Sequence, residues 1–237
     1  LARHDRQHVD ADAFAQRRKL LHRRRPAHVA RSPQHAALVG LGQAQGEPSH
    51  GDDVYDVDFT ATTGATNRWH TQLGAPVIYA DRATHDGKLL TYTSDQLRRA
   101  IEITGAPLAH ILLTPSQTDG ALFAYLEGVA PDGRVIYLSE GVIRLSFNGL
   151  APAETGAGMS APVRAFTRAE ARPFVAGTPI ALAFSLSPIS VVLPAGYRLR
   201  IAIAGADAQT FERLPASGAS VQYAVDRAGS FVDVPMR

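Results

Sequence analysis

Apolar and polar positions alternate with a period of two along much of the chain after residue 53. This alternation is typical of a β-strand that buries one face and exposes the other. The clearest example is residues 197–204, and we expect its apolar row to lie in a hydrophobic core. That row consists of Tyr197, Leu199, Ile201 and Ile203.

A hairpin is predicted in residues 119–147, around which the other strands are arranged. Two runs of β-prone residues flank Pro131-Asp132-Gly133, a turn in which glycine can adopt a positive φ. The second run ends in an alternating stretch at residues 143–147. Within it Glu140-Gly141 interrupts the pattern, as a bulge or bend would.

Further strand candidates recur between turn residues about every 8 to 12 positions, the spacing of an all-β sandwich or barrel. No long helix is predicted in residues 51–237. About ten strands make a two-sheet jelly roll the economical architecture. Pro194 and Gly196, just ahead of residues 197–204, predict a corner between the sheets. The other strand candidates are residues 54–59, 88–93, 101–103, 108–114, 179–185, 221–225 and 231–234.

Residues 1–50 differ in composition from the rest. They hold nine Lys and Arg against four Asp and Glu, and six of the nine histidines, whereas the whole chain has a net charge of +2. With few β-branched residues and no sustained apolar period, this segment buries too little surface to offset its ordering entropy. We predict a basic, poorly ordered arm at residues 1–50 and a jelly-roll domain at residues 51–237.

Two other interpretations of the arm stay open. A basic tail can bind nucleic acid, but no aromatic residues for base stacking are interleaved with its charges, so we expect no nucleic acid partner. A composition rich in Arg, His, Ala, Gln and Pro would also result from a frame error upstream. The chain begins with Leu1 rather than Met, which favours a piece cut from something longer.

Composition bears on the compartment. The chain has no cysteine, which excludes disulfides and thiolate chemistry and favours a reducing compartment such as the cytoplasm. Many exported proteins also lack cysteine, so the localisation stays open. Residues 1–10 lack the apolar segment of a secretory signal. The apolar runs are of strand length, far below the ~20 residues of a membrane-spanning helix, so we expect no membrane partner.

No self-contained catalytic centre is visible. The G-x-S-x-G elbow of an α/β-hydrolase is incomplete, because Ser160 and Ser220 each have a glycine on the first side alone. His70, His85 and His110 lack metal-ligand spacing. The acidic residues within 52–58 are expected to face solvent. We predict no catalytic residue, no metal and no cofactor.

Blocks of sequence in residues 54–234 carry a family resemblance. They resemble, in order, the C-terminal domain of the family that includes X-prolyl dipeptidyl-peptidases, cocaine esterases and α-amino acid ester hydrolases. One departure is Gln96, where the family commonly has proline. The main blocks are Leu89–Ser94, Ile101–Gly105, Ser116–Asp119, Pro131–Arg134, Glu140–Gly141 with Arg144, and Leu193–Arg200.

The resemblance implies an accessory domain. Members of the family join an α/β-hydrolase domain, which holds the catalytic Ser, Asp and His, to a helical cap and a C-terminal jelly roll of the galactose-binding-domain-like type. The implied partner is therefore an α/β-hydrolase catalytic domain, normally in the same chain. A small ester or peptide would be the substrate of the whole enzyme.

The resemblance also implies substrate-pocket residues. In esterases of the group, a loop ahead of the second block contributes apolar side chains to the acyl site, and the corresponding stretch here is residues 65–70. Trp69 is the implied pocket residue, with Arg68 and His70 as candidates for the same rim. Two alternatives stay open: Trp69 can pack in the core or between domains, and His70 can be a surface-loop histidine.

We therefore predict an accessory C-terminal domain of an X-Pro dipeptidyl-peptidase or acyl-ester hydrolase that shapes the substrate pocket. The alternative is a stand-alone β-sandwich module that binds carbohydrate or protein. The first hypothesis predicts an exposed apolar patch of about several hundred Å². The second predicts a concave aromatic groove, for which 7% aromatic residues and one tryptophan are few.

Overall fold

The computed structural model describes residues 36–40, 51–74, 76–148 and 164–236, all within one compact unit at residues 34–237. This part of the chain contains β-strands and 3-10 helices but no α-helix. The strands are β1 (Ala36–Gly40), β2 (Asp52–Asp56), β3 (Leu90–Thr93), β4 (Ile101–Gly105), β5 (Leu108–Pro115), β6 (Ala121–Val129), β7 (Val135–Arg144), β8 (Ile180–Ser185), β9 (Ile189–Leu193), β10 (Arg198–Ala204), β11 (Gln222–Asp226) and β12 (Phe231–Met236). The 3-10 helices are η1 (Arg68–Leu73), η2 (His85–Lys88) and η3 (Leu145–Phe147).

The arm predicted at residues 1–50 lies outside the described residues except at β1. Strand β1 pairs with β12 and was not predicted, because its five residues are too few to establish a period within a segment of such mixed composition. The boundary at residue 50 stays a prediction.

Eight strands form the larger antiparallel sheet, named sheet A. In this sheet the strands lie end to end in pairs, and each pair runs beside the next. β4 pairs with β12, with Ile103 opposite Met236, and β5 pairs with β11, with Leu113 opposite Val225. β9 and β8 follow the other side of β4 and β5. β1 and β2 follow the outer side of β12 and β11. Sheet A thus resembles a four-stranded sheet in which each long strand is divided into two shorter ones.

Four strands form the smaller sheet, named sheet B, in the order β3-β10-β6-β7. Ile201 on β10 pairs with Tyr92 on β3 and with Leu126 on β6. β9 lies in sheet A and β10 in sheet B, so the predicted corner at Pro194 and Gly196 does connect the two sheets. Strand β9 itself was missed, because its last residues, 191–193, were assigned to that corner.

The main core lies between the two sheets. Leu199, Ile201 and Ile203 are at most 2% exposed, so the apolar row predicted for β10 is confirmed. Burial of such side chains contributes about 25 cal/mol per Å² of apolar surface. The largest fully buried side chains facing this row from sheet A and its connections are Ile103, Ile111, Leu113, Leu182, Leu186 and Tyr223.

The hairpin predicted at residues 119–147 is confirmed as β6 and β7, which pair from Val129 and Val135 outward. Gly133 has a φ of +89°, the left-handed conformation that this turn requires. The Asp132 carboxylate accepts the backbone N–H of Arg134 at 3.0 Å. The turn residues therefore set the register of the pair.

The bulge predicted at Glu140-Gly141 is wrong in position. The register shifts at Leu138, while Glu140 and Gly141 stay paired with β6. A Cβ on Gly141 would lie 2.6 Å from the carbonyl oxygen of Ser185. The absence of a side chain at Gly141 therefore allows the end of β8 to pack closely against β7. The strand also ends at Arg144, and the alternating residues that follow it form η3.

The predicted all-β class with two antiparallel sheets is confirmed. The strand order is compatible with a jelly roll, and the jelly-roll topology stays a prediction. Within the described ranges, no helix is both long enough and apolar enough to cross a membrane.

Candidate functional site

Two long connections cover the outer face of sheet B, and together we name them the loop layer: residues 57–89 and residues 205–221. Beneath them lies a second apolar cluster, apart from the main core. All nine residues of β6 are consequently buried. Sheet B therefore has a covering layer on both faces. The buried members of this cluster are Ala121, Phe123, Tyr125, Ala202 and Ala204.

Hydrogen bonds join the two connections of the loop layer next to Trp69. The Asp207 carboxylate accepts the backbone N–H of Thr63 at 3.1 Å and also the Thr63 hydroxyl. The Asn67 side-chain amide donates to the hydroxyl oxygens of Thr63 at 2.7 Å and Thr210 at 2.6 Å. Asn67 Oδ1 accepts the backbone N–H of Trp69 at 3.0 Å. Because Asn67 is 1% exposed, removing one of these partners would leave a buried polar group unsatisfied.

The Trp69 side chain lies on η1 and is 43% exposed, although its backbone is fixed. Its ring meets Phe211 edge-on at 5.2 Å, and Phe211 meets Phe123 of β6 at 5.0 Å. The Arg68 guanidinium lies 5.7 Å from the indole ring. Tilted ring contacts of this kind are favourable. One side of the indole is therefore supported by sheet B while the other faces outward.

Glu140 on β7 borders the Trp69 turn and is 4% exposed. Burial raises the pKa of Glu140, although the positive charge of Arg68 acts against that rise. Tyr137 stacks on Tyr79 at 3.7 Å, and the Tyr79 hydroxyl oxygen accepts the backbone N–H of Arg68 at 3.1 Å. Tyr137 of β7 thus supports this turn through Tyr79, a residue of the loop layer.

Two ion pairs join the loop layer to sheet B. Arg82 Nε donates to Glu127 of β6 at 2.5 Å, and Arg200 of β10 donates to Asp86 of η2 at 2.6 Å. The Arg82 guanidinium also lies 4.6 Å from the ring centre of Tyr125. Burial raises the pKa of Glu127 to about 7, with Arg82 opposing the rise and Asp86 adding to it. These pairs fix residues 82–86 against the sheet.

A depression between the loop layer and β6 is small. It leaves essentially no enclosed space for even a water molecule, whereas a small-molecule site usually encloses about 300 to 1,000 Å³. This depression is therefore too small for an ester or peptide substrate. Its lining residues are Ala61, Thr62, Arg82, His85, Leu89, Tyr125 and Ala206.

The three predicted pocket residues lie together on η1. Trp69 and the Arg68 guanidinium contact each other, as described above. The His70 backbone N–H donates to the Asn67 carbonyl at 3.1 Å, and its Nε2 has no hydrogen-bond partner among the described residues. Substrate contact by Arg68, Trp69 and His70 stays a prediction.

Sequence reasoning missed the residues that hold this turn. Phe211 and Asp207 come from a connection more than 130 positions away in the sequence, which no local pattern links to Trp69. Glu127 and Glu140 carried a usable signal, because each is a carboxylate within a strand of mainly apolar residues. Such a carboxylate is rarely buried unless it has a specific partner.

Metal ligation has no candidate in the part of the chain that the structure describes, where no three His, Asp or Glu side chains converge. The acidic residues of β2 interact with neighbouring strands instead. Asp53 pairs with Arg227 at 2.9 Å and accepts the Tyr92 hydroxyl at 2.8 Å. Asp56 accepts the side-chain amide of Gln222 at 2.9 Å.

Two antiparallel sheets with a loop layer on one of them define a β-sandwich domain. The family of X-Pro dipeptidyl-peptidase C-terminal non-catalytic domains matches residues 25–226, most of the chain. The chain therefore belongs to this family, and the resemblance inferred from the sequence is confirmed.

The relatives are much longer proteins. The chain is 41% identical over 189 residues to a protein of Mycobacterium bovis named as a serine esterase, a match of 78% of this chain and 30% of the relative. It is 31% identical over 96 residues to the cocaine esterase of a Rhodococcus species, covering 40% of this chain and 16% of that protein. The chain thus spans about a third or less of the curated relatives it matches.

A solved structure supports the fold. The α-amino acid ester hydrolase structure matches 86% of this chain and 36% of its own chain, with a TM-score of 0.60 and 19% identity. At this identity the likeness shows the fold alone.

Proposed function

We propose that this chain is the accessory C-terminal domain of a serine hydrolase of the α/β-hydrolase type, either an X-Pro dipeptidyl-peptidase or an acyl-ester hydrolase. In this proposal it packs on a catalytic domain and shapes that domain's substrate pocket with Trp69. Membership in a family of non-catalytic domains and relatives about three times as long support the proposal.

The observation that carries the proposal is an exposed apolar group on a fixed support. Val77 is 45% exposed and Ile78 is 58% exposed, on the same connection as Trp69. The Thr66 hydroxyl donates to the Ile78 carbonyl at 2.7 Å, and the Ile78 N–H donates to the Thr66 carbonyl at 2.8 Å. This pairing holds Ile78 beside the Trp69 turn. Exposed apolar side chains grouped on a rigid layer are typical of an interaction surface.

In the proposed enzyme, chemistry and pocket shape come from different domains. The serine hydroxyl of the catalytic domain attacks the scissile carbonyl and expels the alcohol or amine, which leaves with a proton, to form an acyl-enzyme. Water then hydrolyses the acyl-enzyme, which releases the acid and regenerates the serine. Trp69 provides a flat apolar wall for the acyl group and excludes water from that side. Arg68 and His70 belong to the rim of this wall.

A chimera tests the proposal. The region of the Mycobacterium bovis relative that aligns with this chain is replaced by the chain, and hydrolysis of p-nitrophenyl esters of increasing acyl length is measured. Trp69→Ala should raise KM for the longest acyl group about tenfold, with kcat nearly unchanged, because it removes apolar contact in the bound state. Val192→Ala, at an apolar position on β9 that is 61% exposed, is the control. Equal effects of the two substitutions would contradict the proposal.

The alternative function, a stand-alone carbohydrate- or protein-binding module, makes an opposite prediction. Such a module binds its ligand without any catalytic domain, so saturable binding of the isolated chain to a glycan library would favour it. Loss of that binding in Trp69→Ala, together with no assembly with the catalytic part of the relative, would replace the proposed function.

A further inference from the structure

We propose that Asp207 is a positioning residue for Trp69, because the hydrogen bonds and the ring contact that hold Trp69 both lead back to this one residue. Its carboxylate acts through Thr63 and Asn67, and its backbone carbonyl acts through Phe211. The inference rests on the proposed function for the purpose of the ring. The contacts themselves lie within this chain, so they can be tested without a catalytic domain.

The carboxylate of Asp207 anchors the first path, which ends at the backbone of Trp69. Asp207 is 1% exposed, and its carboxylate accepts the Thr62 hydroxyl at 3.0 Å as well as the two Thr63 groups described above. The Thr63 hydroxyl in turn accepts the Asn67 amide at 2.7 Å, and Asn67 Oδ1 accepts the Trp69 N–H at 3.0 Å. A continuous row of hydrogen bonds therefore runs from Asp207 to Trp69.

The charge of Asp207 sets the direction of this row. An ionised carboxylate only accepts hydrogen bonds, so the Thr63 hydroxyl donates its proton to Asp207 and accepts from Asn67. The Asn67 side chain must then present its NH2 group to Thr63, which leaves its oxygen for the Trp69 N–H. Because Asn67 is buried, a reversed amide would place donors against donors and leave them unsatisfied. The carboxylate at one end thus determines which group meets Trp69 at the other.

The backbone carbonyl of Asp207 anchors a second path, which ends at the ring of Trp69. It accepts the backbone N–H groups of Thr210 at 3.1 Å and Phe211 at 2.9 Å. The chain therefore turns here and brings the Phe211 ring to 5.2 Å from the indole. The Thr210 hydroxyl also accepts the Asn67 amide at 2.6 Å, which joins the second path to the first. Asp207 consequently couples the backbone of Trp69 to the ring that supports its side chain.

A positioning role differs from a purely stabilising role in a measurable way. A carboxylate that only joined the two connections would lower the free energy of unfolding when removed, but the folded chain would keep the same exposure of Trp69. A positioning residue changes that exposure in the folded state itself. Trp69 is the only tryptophan of the chain, so tryptophan fluorescence reports this one side chain.

Acrylamide quenching of Trp69 fluorescence in the full chain tests the proposal. Asp207→Asn places a donor where Thr63 needs an acceptor, so the quenching constant should rise about twofold as the indole, now 43% exposed, moves toward full exposure. Thr63→Val removes the connecting hydroxyl at nearly constant volume and should cause a similar rise. Thr63→Ser keeps the hydroxyl and should keep the wild-type value. Asp207→Asn combined with Thr63→Val should equal either single variant, because both act on one path.

Asp58→Asn is the matched control, because Asp58 lies on the connection that carries Trp69 and accepts the backbone N–H and the hydroxyl of Thr60 at 2.7 Å and 2.6 Å. It should leave quenching unchanged. Wild-type quenching in folded Asp207→Asn would overturn the proposal, and so would additive effects in the double variant. If Asp207→Asn does not fold, as judged by circular dichroism, Thr63→Val compared with Thr63→Ser decides alone. Failure of the chimera with this result intact would instead refute the proposed function.

Discussion

The two faces of sheet B are both buried, but they are held in different ways. On the inner face, β6 contributes Leu122 and Leu126 to a core of mainly aliphatic side chains. On the outer face, Tyr125 and Glu127 of the same strand lie beneath loops fixed by ion pairs and hydrogen bonds. Apolar burial has no preferred direction, whereas charged hydrogen bonds do. The inner face therefore provides stability, and the outer face provides a defined arrangement of loops.

The largest expected effect is on the inner face. Leu122 is fully buried, so Leu122→Ala should lower the free energy of unfolding by about 4 kcal/mol through lost burial and a residual cavity. Urea denaturation followed by circular dichroism measures it. A loss below about 1 kcal/mol would mean that the core relaxes around the cavity and that the two faces do not differ in this way.

The second effect is on the outer face. Arg82→Met leaves Glu127 buried without its partner and should cost about 3 kcal/mol at pH 8. The double variant Arg82→Met with Glu127→Leu is the control, and it should recover most of that loss because no uncompensated charge remains. A double variant as unstable as the single one would show that packing, rather than charge, holds the loop layer.

The third effect depends on pH. The pKa of Glu127 is raised from 4.5 to about 7, so the folded chain binds this proton more tightly than the unfolded chain. The corresponding stability is fully present below about pH 4.5 and is lost as the pH rises through about 7. Relative to Glu127→Gln, the wild type should lose on the order of 2 kcal/mol across that window. Parallel pH profiles of the two proteins would contradict this assignment.

The smallest effect is at the exposed end of the hairpin. Arg144 donates to both carboxylate oxygens of Asp119, at 2.9 Å and 2.6 Å, and its side chain is 51% exposed. Arg144→Ala should cost about 0.5 kcal/mol, because solvent screens the pair. The cost should fall further at high salt. A salt-independent loss as large as that of Arg82→Met would erase the distinction between exposed and buried pairs.

The sequence predicted what local patterns encode. The row of Leu199, Ile201 and Ile203 was predicted from period-two alternation, and the β6–β7 turn from Gly133. Both signals act within a few residues, and the structure confirms both. β9 was missed because Pro194 and Gly196 predicted a corner, and the last residues of the strand were assigned to that corner.

The loop layer could not be predicted in the same way. Its contacts join Thr63 to Asp207 and Trp69 to Phe211, residues that are far apart in the sequence and without periodicity. Ala202 and Ala204 occupy the expected polar row of β10, yet they are buried beneath these loops. Small apolar residues in a polar row were the available sign of a covering layer. The family resemblance pointed to Trp69, but the residues that support its side chain could be identified only from the folded structure.

The central claim is that Trp69 faces a catalytic domain. Its most direct test is fluorine NMR of the chain labelled with 5-fluorotryptophan, which gives one resonance because the chain has one tryptophan. Addition of the unlabelled catalytic part of the Mycobacterium bovis relative should shift that resonance saturably, and a slowly hydrolysed ester should shift it again. A resonance that stays unchanged through both additions would contradict the account.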